Sequence, residues 1–200
     1  MAVIQVPTGL SVGRQPWGQK RNDLSFSSSF GSQAVETSPP QWQTTLVATP
    51  KRPALFQVMM MQLRGRTNQL ALWNMGRPVP LGTMRGAMTV AAVAQGATVL
   101  PITASGQAGK TLLAGDFLGV GSGLNQQVVM VIADATANGA GLISVTVEPP
   151  LRNAFAAGSG VTWDKPKALF RRNDSVAQWE HLPGRIVQGM QMDLIEDWRP

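Results

Sequence analysis

The chain has 200 residues, 44% of them hydrophobic and only 14% charged, with 21 glycines and 14 prolines. That profile suits many short strands and turns better than a charge-rich helical bundle, and it is too apolar for a disordered chain. Its 17 basic and 11 acidic side chains give a net charge of +6, yet the bases are scattered, the densest spots being Lys51 with Arg52, Arg64 with Arg66 and Arg171 with Arg172. A dedicated nucleic-acid surface needs a concentrated basic footprint with stacking aromatics beside it, so that class is disfavoured.

No cysteine is present, which excludes a disulfide framework, a thiolate metal site and a cysteine nucleophile. Residues 1–16 lack the basic opening and sustained apolar core of a secretory signal. No apolar run approaches the ~20 residues of a membrane helix, so no membrane insertion is expected. The length allows one domain with a substantial core or two small ones, domains most often running roughly 100 to 150 residues.

In chain order, residues 1–24 carry Pro7, Gly9, Gly13, Pro16 and Gly18 without an apolar period, and read as an extended N-terminal arm. SFSSSFG from Ser25 and QWQTTLVAT from Gln41 predict two strands separated by the turn formers Ser38, Pro39 and Pro40. TPKRPALFQVMMMQLRGR predicts a short helix capped by Thr49, with Pro50 at its first position, Leu55, Val58, Met59 and Gln62 or Leu63 at helical spacing, and Gly65 at its end. In this helix Met59 to Met61 read as core filling.

NQLALWN then predicts a strand with Leu70 and Leu72 on one face, and PVPLGTMRG a turn-rich crossing. QQVVMVIAD is a buried strand, Asn138-Gly139 a tight connection, and LISVTVE alternates Ile143, Val145 and Val147 with Ser144, Thr146 and Glu148, which together predict a β-hairpin. PKALFRR is a further strand, and RIVQGMQMDLIED, with Met190, Met192 and Leu194 alternating, a long closing one. The fold class is therefore mainly β: a β-sandwich host domain with one short helix, residues 25–91 plus 165–200, interrupted by an inserted small β-barrel over residues 92–164. First and last host strands that pair would hold the two ends of the insertion together.

Motifs with chemical overtones fail in context. Gly109-Lys110-Thr111 matches the end of a phosphate-binding loop, but the earlier glycine is missing, Ala104 standing in its place, and no helix follows. Gly119, Gly121 and Gly123 have the wrong spacing for a dinucleotide fingerprint. His181 is the only histidine, so a histidine metal site cannot be built, and no paired nucleophile and acid surround it. Asp193 and Asp197 share one strand face and Glu196 takes the other, which does not make a two-carboxylate hydrolase site; a solvated or interfacial edge is expected there. The six tryptophans are scattered as core or interface anchors. The chain is thus expected to be non-enzymatic, with no catalytic, cofactor or metal site.

The segment 115–152 is similar to one found in phage tail proteins. The shared pattern is Gly115-Asp116, the turn glycines Gly119 and Gly121, a buried strand from Gln127, Asp134 and Gly141 at a hairpin turn, then Glu148-Pro149-Pro150-Leu151-Arg152. Trp42, the Leu63-Arg64-Gly65-Arg66 corner, Arg85-Gly86 and a closing strand ending in Glu196 extend the resemblance over most of 25–200. It implies the distal tail, or baseplate hub, class of tailed phages: a β-sandwich with one helix that closes into a homohexameric ring and carries an inserted barrel.

In that class the ring joins the tail tube protein to baseplate hub and tail fibre proteins, so the expected location is the tail of the virion, assembled in the host cytoplasm. Six copies at +6 would make a positive ring, suited to acidic partners or to DNA passage through the lumen. The alternatives are another minor tail or tail-tip protein, or a host-receptor or carbohydrate-binding module. The module predicts aromatic side chains gathered on the barrel, where the sequence offers Phe117, Phe155 and Trp163.

Overall fold

The computed structural model describes residues 1–49, 53–183, 186–188 and 190–198. The first part of the chain runs β1 (Val3–Gln5), β2 (Val12–Arg14), β3 (Trp17–Ser28), β4 (Gly31–Ala48), α1 (Pro53–Gln62) and β5 (Gln69–Leu72). Residues 1–24 are not a free arm. β1 pairs in parallel with β5, Val3 opposite Gln69, while β2 and the first half of β3 pair with β4. Burial explains the difference: Ile4, Val6, Leu10, Val12 and Trp17 all pack against the core. The Pro7-to-Leu10 turn between two very short strands hides their period from a sequence reading.

Ser38-Pro39-Pro40, expected as a turn, lies inside β4. The pairing of β3 with β4 shifts here, from Lys20 opposite Gln41 to Asn22 opposite Ser38, so both prolines sit in a bulge where a missing N–H breaks no ladder bond. The reversal comes instead at Ser29-Phe30, where the Phe30 amide donates to the Ser28 hydroxyl at 3.2 Å.

The helix is described from Pro53 to Gln62. The Thr49 hydroxyl donates to the Ser11 carbonyl at 3.2 Å, and Pro50 lies outside the described residues. Phe56, Met59, Met60 and Leu63 form the buried stripe at i, i+3, i+4 and i+7, so two of the three methionines are core filling and Met61 faces outward. Arg64 and Gly65 turn the chain out of the helix with φ of 48° and 66°.

The second part runs β6 (Met88–Val90), β7 (Val99–Thr103), β8 (Thr111–Leu112), β9 (Phe117–Val120), β10 (Gln127–Val131), β11 (Ala135–Thr136), β12 (Leu142–Glu148) and β13 (Gly160–Thr162). Six of these strands close into a barrel in the order β10-β12-β7-β6-β13-β9, and β8 with β11 makes a separate ribbon. The barrel begins at Met88, within what was assigned to the host. Its core is the inward-facing set of alternating residues, among them Leu100 and Ile102, Leu118 and Val120, Val129 and Val131, and Ile143, Val145 and Val147.

The predicted hairpin is present as an antiparallel pair, but β10 meets β12 only at Met130–Glu148 and Val131–Val147. β11 intervenes, and β12 makes its longer pairing with β7. In the tight connection Asn138 Oδ1 accepts from the Ala140 and Leu142 amides, and Gly141 rather than Gly139 takes the left-handed backbone, φ 76°.

The chain then returns through β14 (Ala168–Arg172), β15 (Glu180–Leu182), β16 (Ile186–Gln188) and β17 (Gln191–Glu196). Of the expected long closing strand, Arg185 and Gly189 lie outside the described residues, and the flanking parts are β16, paired with β15, and β17. β17 sits inside the seven-stranded host sheet, whose order is β1-β5-β14-β17-β4-β2 with β3 also on β4. The fold is mainly β, with one helix among the described residues and a closed barrel within the chain. What covers the apolar face of the host sheet is α1 together with the barrel wall: Phe117 and Val128 share a core with Trp42, Leu46, Phe56, Phe170 and Leu194.

Candidate functional site

The barrel is held to the sheet by a buried polar network beside an aromatic cluster. Glu196, at the end of β17, points inward with Met192 and Leu194, and its side chain is 0% exposed. It accepts from the Trp42 amide at 3.1 Å and faces the guanidinium of Arg152, on the segment after β12, at 3.1 Å. Arg152 donates onward to the Gln126 carbonyl at 3.2 Å and lies 5.1 Å over the ring of Trp198. Its amide donates to Gln127 Oε1 at 2.7 Å, and the Gln127 side chain donates to the Pro150 carbonyl at 3.0 Å. Trp42 Nε1 donates to the Val128 carbonyl at 2.8 Å, a direct bond from sheet to barrel.

Burial pushes the Glu196 carboxyl up, against the Arg152 guanidinium and the Trp42 amide, which hold it down. Burial also lowers Arg152, against Glu196 and Asp197. Around this pair Trp17 packs at 5.9 Å from Trp42, 6.1 Å from Phe117 and 5.3 Å from Phe170. Arg21 pairs with Glu148 at 2.8 Å as a second tie between β3 and the barrel.

Several of the residues that carried the resemblance, Trp42, Arg152 and Glu196 among them, make these internal contacts. Asp116 accepts three amides, from Leu81 at 2.6 Å, Gly82 at 3.1 Å and Leu113 at 2.8 Å, and so fixes the crossing into the barrel. Asp134 accepts the Ala114 amide at 2.8 Å.

The carboxylates Asp193, Glu196 and Asp197 do not sit on a solvated edge, because β17 has a neighbour on each side. Only Asp193 is exposed, accepting from the Thr45 hydroxyl at 2.5 Å; Asp197 accepts from Gln69 at 2.9 Å and faces Arg171 at 3.8 Å. The basic pair Arg171-Arg172 is split, since Arg172 is buried and reaches Asp174 and the Val176 carbonyl. His181 lies exposed on β15, its Nε2 accepting from Trp179 Nε1 at 2.9 Å. Gly106 and Gly109 occupy turns, and Thr111 pairs into β8 rather than opening a helix. On the barrel, Phe117 and Phe155 are buried and Trp163 is covered by Arg85 at 5.0 Å.

What the fold leaves uncovered is the outer half of the β3–β4 ribbon. Leu24 stands opposite Val35 and Phe26 opposite Gln33, so strand alternation puts Leu24, Phe26 and Val35 on one face. Asp23 opposite Glu36, Ser25 opposite Ala34 and Ser27 opposite Ser32 occupy the other. Phe26 is 60% exposed and Phe30, at the tip, 98%. Among the described residues no ion pair neutralises Asp23 or Glu36, although like charges directly opposite repel. The alternation of Leu24 and Phe26 was the available signal for this surface, masked by the serines around it. Arg152 and Glu196 were each visible in the resemblance, but their pairing left no signal, its members lying 44 residues apart on unrelated segments.

No protein-family model matches the chain, and no curated protein matches it.

Proposed function

We propose that the chain is a structural subunit of the tail of a bacteriophage or phage-like particle, the distal tail or baseplate hub ring that connects the tail tube to hub and fibre proteins. The observation that carries this reading is the ribbon: a two-stranded extension with an apolar face and an apolar tip is marginal alone and is stabilised when a partner covers it. A chain built to assemble needs such a surface, and a ring removes the strand edges and apolar patches that a lone subunit exposes.

Two further observations support the phage class. A host sheet with one α-helix among the described residues and a closed barrel within the chain agrees with the architecture that the resemblance implies. The pattern residues Asp116, Trp42, Arg152 and Glu196 lie at the barrel entry and at the barrel–sheet junction, where a rigid two-part subunit needs them. The function resides in surfaces, and the positive charge of the assembled ring suits acidic partners and DNA in the lumen. Immunogold labelling of tailed particles from cells that carry the gene tests the reading. Gold at the distal end of the tail is expected, and particles that form without the protein would overturn it.

A further inference from the structure

A second feature of the surface answers the ribbon. On α1, Val58 and Met61 stand one turn apart on the side away from the core, each 51% exposed. Arg64 follows at the next turn, and among the described residues no acid pairs with it. Among the described residues, apolar side chains are thus uncovered both on the ribbon and on the outer face of the helix.

Their charges are complementary. Residues 22–38 contain Asp23 and Glu36 and no basic residue, whereas the remaining chain holds all 17 bases against nine acids. An acidic, apolar extension on a basic body repels other acidic surfaces and is drawn to the body of a like copy. Two different patches that fit each other on successive copies make a heterologous contact, the kind that closes into a ring.

We propose that the β3–β4 ribbon of one copy docks on α1 of the next, with Leu24, Phe26 and Val35 covering Val58 and Met61, while Asp23 and Glu36, on the opposite face of the ribbon, act only through the long-range attraction of an acidic extension to the basic body around Arg64. This rests on the ring-forming reading above and names the surface through which the ring closes.

Because the chain has no cysteine, introduced pairs report cleanly. The test is the Phe26→Cys/Met61→Cys double variant, oxidised mildly and run on non-reducing gels, beside each single variant and with solution mass measured in parallel. A ladder of covalent multimers from the double variant, with nothing beyond a dimer from either single, is the expected result. Phe26→Ser should weaken self-association about tenfold or more, the loss of one central aromatic anchor. Arg64→Glu should weaken it as well, and Glu36→Arg in the same chain should restore part of the loss. All four positions are exposed, so circular dichroism should be unchanged.

A ring-sized species that gives no ladder would overturn the helix as acceptor while leaving ring formation standing. A cross-link confined to one chain would overturn it too. A monomer without cross-links would overturn both.

Discussion

The buried pair Arg152–Glu196 permits a test whose magnitude follows from its geometry. At 3.1 Å, with an effective dielectric of about 20, Coulomb's law gives an attraction of about 5 kcal/mol. Desolvation of a fully buried carboxylate and a mostly buried guanidinium cancels much of it, so the net value of the pair is small although its disruption is expensive. Arg152→Met leaves Glu196 buried with the Trp42 amide still donating, and should cost about 3–5 kcal/mol.

Glu196→Leu should cost less, because Arg152 keeps the Gln126 carbonyl and the Trp198 ring. The double variant replaces both charges by apolar groups of similar volume and should be no worse than the milder single, giving a coupling energy of at least about 3 kcal/mol. Urea unfolding followed by tryptophan fluorescence measures all four corners. Additivity within about 0.5 kcal/mol would refute the claim that this pair acts as one unit across the junction.

The same carboxyl sets a pH dependence. Its folded value is raised by burial, so its stabilising contribution is complete below the ordinary carboxylate range and is lost as pH rises through the raised value. Wild-type stability measured against Glu196→Gln should therefore fall from about pH 4 upward, and a difference that grows with pH would contradict the assignment. Gly141→Ala forces a side chain into φ 76°, with its Cβ 2.2 Å from the Ala104 carbonyl oxygen, and should lower barrel stability by about 2–4 kcal/mol in thermal unfolding. Asp116→Ala strips the acceptor from the Leu81, Gly82 and Leu113 amides, and hydrogen exchange at those three should rise by more than tenfold while β5 and β14 stay protected.

The barrel was legible because its strands alternate cleanly: Ile143, Val145 and Val147 declare one face of β12 whatever partner it takes. The partner itself was not, since β7 and β10 present equally apolar faces and only the three-dimensional closure decides between them. Residues 1–16 were misread because strands of three residues contribute one inward side chain each, too few for a period. Pro39-Pro40 was misread because a bulge in an extended ribbon accepts proline as readily as a turn does. Of the candidate site, the individual residues of the motif from Gly115 to Arg152 were visible as a pattern. Their roles in joining barrel to sheet depend on contacts across the chain, such as Trp42 with Val128, which no local spacing encodes.

Light scattering of the purified chain, across concentration and at low and high salt, tests the ring most directly. The account predicts a species about six times the 21.3 kDa chain that shifts toward smaller forms when Leu24, Phe26 and Phe30 are replaced by serine. A strict monomer in every condition, with a mass indifferent to those substitutions, would contradict it.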